Sequence, residues 1–181
     1  MLKSDLRKKI LFKRKKNFNR KLLISYERLI NIVKNFKVKK PIFGGYFPVN
    51  YEIDCLEVLK RLETKKFNIS FPVIKKSNSM EFFKYSFKEP LKINKYGIPE
   101  PIKKKKLIPN ILLVPLVAFD KNLYRIGYGG GYYDRYLAKL KKKKKFLSIG
   151  FAFSFQQIKK VPKEKFDRKL DFVITEKKTF K

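Results

Sequence analysis

The stretch ILLVPLVAFDKNLYRIGYGGGYYD, Ile111 to Asp134, decides the fold. It opens with an apolar run, Ile111 to Phe119, of the kind that suits a strand covered on both faces. Pro115 cannot donate to a sheet ladder, so the strand is expected to end or bulge near it. A glycine-rich loop follows, with Gly127, Gly129, Gly130 and Gly131 inside five residues, and then a helix from about Tyr132 to Lys142. A buried strand, a bare loop and a helix in this order form one half of a parallel α/β unit. Glycines let backbone N–H groups approach a ligand closely, and a helix start adds further free N–H groups and partial positive charge. Such a loop is a phosphate cradle. Arg125 can add a charge-assisted contact, and Asp134 can bind a hard divalent cation beside phosphate oxygens. The loop is neither a P-loop nor a dinucleotide fingerprint: no Gly-Lys-Ser/Thr follows, and its glycines run G-x-G-G-G.

Outward from this stretch the pattern repeats. Residues 2–36 read as mostly helical, with a possible break at Asn17 to Asn19. Pro41 to Val49 reads as a strand and loop. Asp54 and Glu57 have capping-box spacing before a helix running to about Lys65. Phe67 to Ile74 and Met80 to Phe87 read as strands, and Glu89 to Pro109 as irregular. Phe146 to Phe153 is another buried strand, and Asp171 to Thr175 a short last one. The expectation is a single α/β domain over 1–181. Its mostly parallel sheet is covered by helices on both faces, a Rossmann-like three-layer sandwich with segment 2–36 packed on the core.

Composition sets the limits. The 181 residues carry a net charge of +32, no histidine and one cysteine, Cys55. Histidine-based acid–base catalysis and histidine or cysteine zinc sites are excluded, and a lone cysteine suits a reducing cytoplasm. No run reaches membrane-span length, and the N-terminus lacks the apolar core of a secretory signal. The charge raises nucleic-acid binding as a rival reading. Yet lysine is abundant along the whole chain while arginine is scarce and alanine nearly absent, which points to residue-usage bias. The runs Lys103–Lys106 and Lys141–Lys145 read as solvated loop and helix-end residues.

The segment Val114 to Leu137 resembles the signature of the 5-formyltetrahydrofolate cyclo-ligase family at Pro115, Phe119, Asp120, Arg125, Gly127, Gly129, Gly131, Tyr132, Tyr133 and Asp134. Lys3 and Arg7 match its N-terminal K-x-x-x-R. YFPVNYEID (Tyr46 to Asp54), YGIPEP (Tyr96 to Pro101), GFAFSFQQIKKVP (Gly150 to Pro162) and FDRKLDFVITE (Phe166 to Glu176) resemble further blocks in order. Two positions depart: Phe166 stands where the family often has His, and Gly130 where some members have Lys.

The resemblance implies an enzyme that converts 5-formyltetrahydrofolate to 5,10-methenyltetrahydrofolate with hydrolysis of ATP. It implies ATP binding by Lys3, Ser4, Asp5, Leu6 and Arg7 and by Arg125, Ile126, Gly127, Tyr128, Gly129, Gly130, Gly131, Tyr132 and Tyr133. It implies folate binding by Phe47, Glu52, Tyr128, Gly129, Gly130, Gly131 and Tyr132, catalysis by Arg125 and Asp134, and Mg²⁺ at Asp134 and Asp171. A cytoplasmic monomer with no membrane or specific nucleic-acid partner is expected. A non-catalytic nucleic-acid-binding protein and a related ATP-using enzyme with another substrate are the alternatives.

Overall fold

The structure is a computed structural model that describes residues 2–76, 78–102, 105–142 and 145–181. Lys103, Lys104, Lys143 and Lys144 of the two lysine runs lie outside the described residues. The chain opens with helices α1 (Lys3–Lys16) and α2 (Tyr26–Asn35), followed by strand β1 (Ile42–Gly44) and helix α3 (Leu56–Thr64). Strands β2 (Asn68–Lys75), β3 (Ser79–Lys84), β4 (Leu91–Ile93), β5 (Pro99–Pro101), β6 (Ile111–Pro115), β7 (Ala118–Phe119) and β8 (Arg125–Ile126) come next. Helix α4 (Tyr132–Lys141), β9 (Leu147–Phe151), a 3₁₀ turn (Ser154–Gln156), β10 (Phe172–Ile174) and β11 (Thr179–Phe180) complete the chain.

Seven strands form the main sheet in the order β11-β10-β9-β6-β1-β2-β3. The inner five run parallel, and β3 and β11 close the two edges as antiparallel strands. Alternation along β6 shows why the layers form. Ile111 and Leu113 face a core shared with α2 and α3, through Leu29, Val33, Leu59 and Leu62. Leu112 and Val114 face a second core shared with α4, through Tyr136, Leu137 and Leu140. Period-two residues on a strand point to opposite faces, so an all-apolar run needs cover on both. The expected α/β fold, a mostly parallel sheet between helical layers, is the fold observed.

The direction of chain winding reverses between β1 and β6, which are adjacent although β2 lies on the far side of β1. In an open parallel sheet, ligands bind at the carboxyl ends of the strands at such a switch point. Pro115 is the last residue of β6, in register with Phe151 of β9. Beyond it the ladder stops, and Gln156 Nε2 donates to both Leu116 O and Val117 O at 2.9 Å. The chain then turns into the antiparallel β7–β8 hairpin. Buried Asp120 holds that hairpin by accepting from the amides of Asn122, Tyr124 and Val161.

Some expectations change. The segment 89–109 contains the β4–β5 hairpin, paired from Leu91 with Pro101 to Ile93 with Pro99. Prolines mask this pairing in sequence because they remove ladder donors. The capping box is incomplete: Asp54 Oδ1 accepts from Leu56 N at 2.6 Å, but the helix starts one residue later with Cys55 at its cap. The break between the first two helices spans Asn17 to Ser25. Helix α1 crosses the end of the sheet, where Ile10 packs with Val117, Ala118, Ile126 and Val161.

Candidate active site

A cleft of about 1300 Å³ opens where the switch point predicts. Its walls come from the segment after β1 (Tyr46 to Glu52), the end of β6 (Pro115), the segment from Arg125 to Arg135, and the start of α1. The β4–β5 hairpin adds Tyr96, Ile98 and Pro99, and the C-terminal segment adds Glu164 and Phe166 to Arg168.

One end is the glycine loop. Gly131 is the cap residue of α4 with φ +66°, and Gly129 has φ +102°, conformations that L side chains resist. Among the described residues, the backbone amides of Tyr128, Gly129, Gly130 and Gly131 donate to no backbone or side-chain acceptor. Cations surround them. Arg7 Nε donates to Gly127 O at 2.8 Å, and its guanidinium lies against Gly129. Arg135 donates to Asn78 O at 2.9 Å through Nε, and through Nη2 also to Gly130 O. Arg125 is buried, held by Arg168 O at 2.7 Å and Asp134 Oδ1 at 2.9 Å. Lys3 completes the rim through Asp167 (2.5 Å) and Glu164 (3.2 Å). Open amides within a ring of cations can take polyanionic phosphate.

The other end is more apolar and more buried. Phe47 stacks on Phe71 at 4.3 Å between ring centres, with one edge left to the cleft. Glu52 is 5% exposed. Its Oε2 accepts from Val49 N at 2.9 Å, whereas its Oε1 is buried without a hydrogen-bond partner among the described residues. Burial pushes the carboxyl up to about 7, against the opposing pull of the Val49 amide, the Arg14 charge and the Tyr128 hydroxyl. An unpartnered buried carboxylate oxygen is costly unless a ligand supplies donors. Burial also pushes the Tyr46, Tyr128 and Tyr133 phenols up, so all three stay neutral near pH 7.

The model of the 5-formyltetrahydrofolate cyclo-ligase family matches residues 2–176. The chain belongs to that family. It is 32% identical over 148 residues to the 5-formyltetrahydrofolate cyclo-ligase of Haemophilus influenzae, covering 78% of each chain. It is 30% identical to that of Mycoplasma genitalium, covering 95% of this chain and 96% of the relative. The solved structure of Aquifex aeolicus 5,10-methenyltetrahydrofolate synthetase superposes with a TM-score of 0.77 at 32% identity, over 99% of this chain and 92% of that one. The family is one of ligases, so the chain is placed among enzymes.

Of the residues expected to act in a cyclo-ligase, Lys3, Arg7, Phe47, Glu52 and all of Arg125 to Asp134 line the cleft. Ser4, Asp5 and Leu6 do not. Helical periodicity turns Ser4 and Asp5 to solvent, and Leu6 packs beside Ile10 on the hairpin core. Asp171 is also elsewhere: its Oδ2 accepts from Ser148 N (2.8 Å) and Ser148 Oγ (2.6 Å). Asp171 precedes β10, and Ser148 lies near the start of β9. Their pair therefore sits at the amino ends of parallel strands, across the sheet from the cleft.

The two carboxylates named for magnesium thus do not build a site together, and no cluster of three acidic, Cys or His residues occurs among the described residues. Asp134 Oδ1 is already engaged by Arg125 and by Arg168 N. Asp167, beside the position where the family often has His, ties α1 to the C-terminal segment through Lys3 and the Glu164 amide.

Sequence reasoning missed three contributors. Tyr96 reaches across the cleft, its hydroxyl 3.1 Å from that of Tyr132. Arg135 anchors the loop to Asn78. Arg14 is fully buried behind the Glu52 end. A signal existed for the two arginines. In a chain so rich in lysine, arginines mark places where a forked cation is needed, and Arg14 continues the stripe of Lys3 and Arg7.

Proposed function

We propose that the protein converts 5-formyltetrahydrofolate to 5,10-methenyltetrahydrofolate, with hydrolysis of ATP to ADP and phosphate. One observation carries this reading: a single cleft joins a cradle of unpaired amides and cations to a buried pocket end holding an unpartnered carboxylate oxygen. Family membership supplies the reaction class.

The chemical difficulty is the amide-like formyl oxygen, a poor leaving group. In the proposed reaction that oxygen attacks the γ-phosphorus of ATP. An O–P bond forms, the β–γ bridging bond breaks, and ADP departs. The folate N10 amine then attacks the formyl carbon. The carbon–oxygen bond breaks, phosphate leaves with its electron pair, and the N10 proton is lost. The protein has to align two substrates and neutralise moving charge. No histidine is needed for this.

Lys3, Arg7, Arg125 and the loop amides hold the triphosphate. Arg125 suits the transferring phosphoryl group because two carbonyl and carboxylate contacts already fix its guanidinium. Phe47 packs on the pterin, and Glu52 accepts from its amino and ring N–H groups. Tyr128 and Tyr132 close the pocket, since both loop tyrosines line it. Asp134 is the member of the expected carboxylate pair that lines the cleft, and one carboxylate beside phosphate oxygens suits Mg²⁺. Asp134 would be the protein carboxylate beside a bound magnesium–nucleotide complex, where the metal would supply positive charge to the phosphoryl group being transferred. The protein works as a cytoplasmic monomer.

The test is formation of methenyltetrahydrofolate, followed by its absorbance, from purified protein, 5-formyltetrahydrofolate and MgATP. Turnover that requires all three confirms the reading. Absence of turnover together with tight nucleic-acid binding at physiological salt overturns it.

A further inference from the structure

Lys3, Arg7, Ile10 and Arg14 fall at i, i+4, i+7 and i+11 of α1, on one stripe of the helix. The first two reach the phosphate end of the cleft. Arg14 lies seven residues past Arg7, about 10 Å further along the axis. It is fully buried and forms no salt bridge among the described residues. Its Nε donates to Asn50 O at 2.9 Å and its Nη1 to Leu116 O at 3.2 Å, while Nη2 donates to the Tyr128 hydroxyl. These partners belong to three separate walls: the segment after β1, the exit of β6, and the glycine loop.

We propose that Arg14 is a positioning residue for the folate end. It holds Tyr128 at a fixed spacing from the Asn50–Glu52 turn and supplies the buried positive charge that balances Glu52. The inference rests on the reading of the Glu52 end as the folate site. Three bonds to three walls need a planar fork, which a lysine ammonium on a flexible stem cannot reproduce. The electrostatics agree. Arg14 is the cation acting on Glu52, whose other titratable neighbours are Tyr128, Tyr46 and Cys55, with Tyr133 facing it from α4.

The test compares Arg14→Lys, Arg14→Met, Tyr128→Phe and the double variant Arg14→Lys/Tyr128→Phe. Folate and MgATP are varied separately, and Glu52 is titrated by carboxyl ¹³C NMR in the ligand-free protein. Arg14→Lys is expected to raise the folate KM roughly tenfold, as for loss of a charge-assisted hydrogen bond, while the ATP KM stays within about twofold. Tyr128→Phe should raise the folate KM by less. The double variant should fall short of the product of the single effects, because both changes remove the Arg14–Tyr128 contact, while Tyr128→Phe also loses the bond to Val49 O. Arg14→Met should move the Glu52 titration above that of the wild type, whereas Arg14→Lys should leave it in place.

Equal rises in both KM values, multiplicative effects in the double variant, or an unmoved Glu52 titration in a folded Arg14→Met protein would overturn the proposal. Should Arg14→Met not fold, the two conservative variants carry the test. Wild-type protein without turnover rejects the reading of the site. An unchanged folate KM in Arg14→Lys beside an active wild type rejects only the role of Arg14.

Discussion

The two ends of the cleft solve opposite problems. The glycine-loop end is exposed and cationic, and its binding groups are backbone amides set out by positive-φ glycines. The Glu52 end is buried, and its binding group is a single carboxylate oxygen held without a partner. At the first end, water screens charge and the ligand brings its own. At the second, desolvation raises the cost of every unmet hydrogen bond. On the proposed reading, a polyanion would be gripped by many modest contacts, and a flat heterocycle by a few expensive ones.

Removing the fixed cation should break the comparison most. Arg125→Met is expected to lower kcat by about 10²–10³, the usual cost of losing a preorganised group that stabilises transferring charge. Initial rates at saturating substrates measure it, and a change confined to the ATP KM would reduce Arg125 to a binding group.

Glu52→Gln acts at the opposite end. The folate KM should rise roughly 10–100-fold with little change for ATP, as expected for hydrogen bonds to a charged group. Its pH behaviour sharpens the contrast. Burial raises the Glu52 carboxyl from 4.5 to about 7. The folded state therefore holds this proton more tightly than the unfolded chain. The stabilising contribution is complete below about pH 4.5 and is lost as pH rises through about 7. At about 1.4 kcal/mol per pH unit, this loss reaches about 3 kcal/mol in the ligand-free protein. Urea unfolding of Glu52→Gln should lack that decline. Folate KM in the wild type should rise as pH falls below about 7, where the carboxyl takes up a proton.

Asp134→Asn tests the metal's neighbourhood. The magnesium concentration for half-maximal activity is expected to rise on the order of tenfold, with the fold preserved by circular dichroism. Unchanged metal dependence would leave Asp134 only its contacts to Arg125 and the Arg168 amide. The smallest effect is conformational. The Cβ of Gly129→Ala would meet Arg7 at an ordinary contact distance of 3.6 Å, but the residue must adopt φ +102°. A loss of about 1–2 kcal/mol is expected from thermal unfolding, with a weaker grip on ATP than on folate.

The same contrast explains what could be read in the sequence. The glycine loop is contiguous, so Arg125 to Asp134 carries its chemistry in ten adjacent letters. The parallel core was equally legible, because buried runs such as Ile111 to Val114 have one good explanation. The folate end was only partly legible. Glu52 looks like any loop carboxylate until Arg14, 38 positions earlier, and Tyr128, 76 later, are seen to enclose it. Asp171 is a related case. Its acidic chemistry was visible, but the strand end on which it sits depends on chain direction within the assembled sheet. The β4–β5 hairpin escaped notice because its prolines hide a pairing that the rest of the fold enforces.

The contact between Lys3 and Asp167 spans 164 positions. The glycine loop is local in sequence, whereas the Lys3 rim above it exists only once distant parts of the chain have packed together. Loss of the Asp167 contact would therefore free Lys3 while leaving the loop itself unchanged: the floor of the cleft is a product of local sequence and its rim a product of tertiary closure.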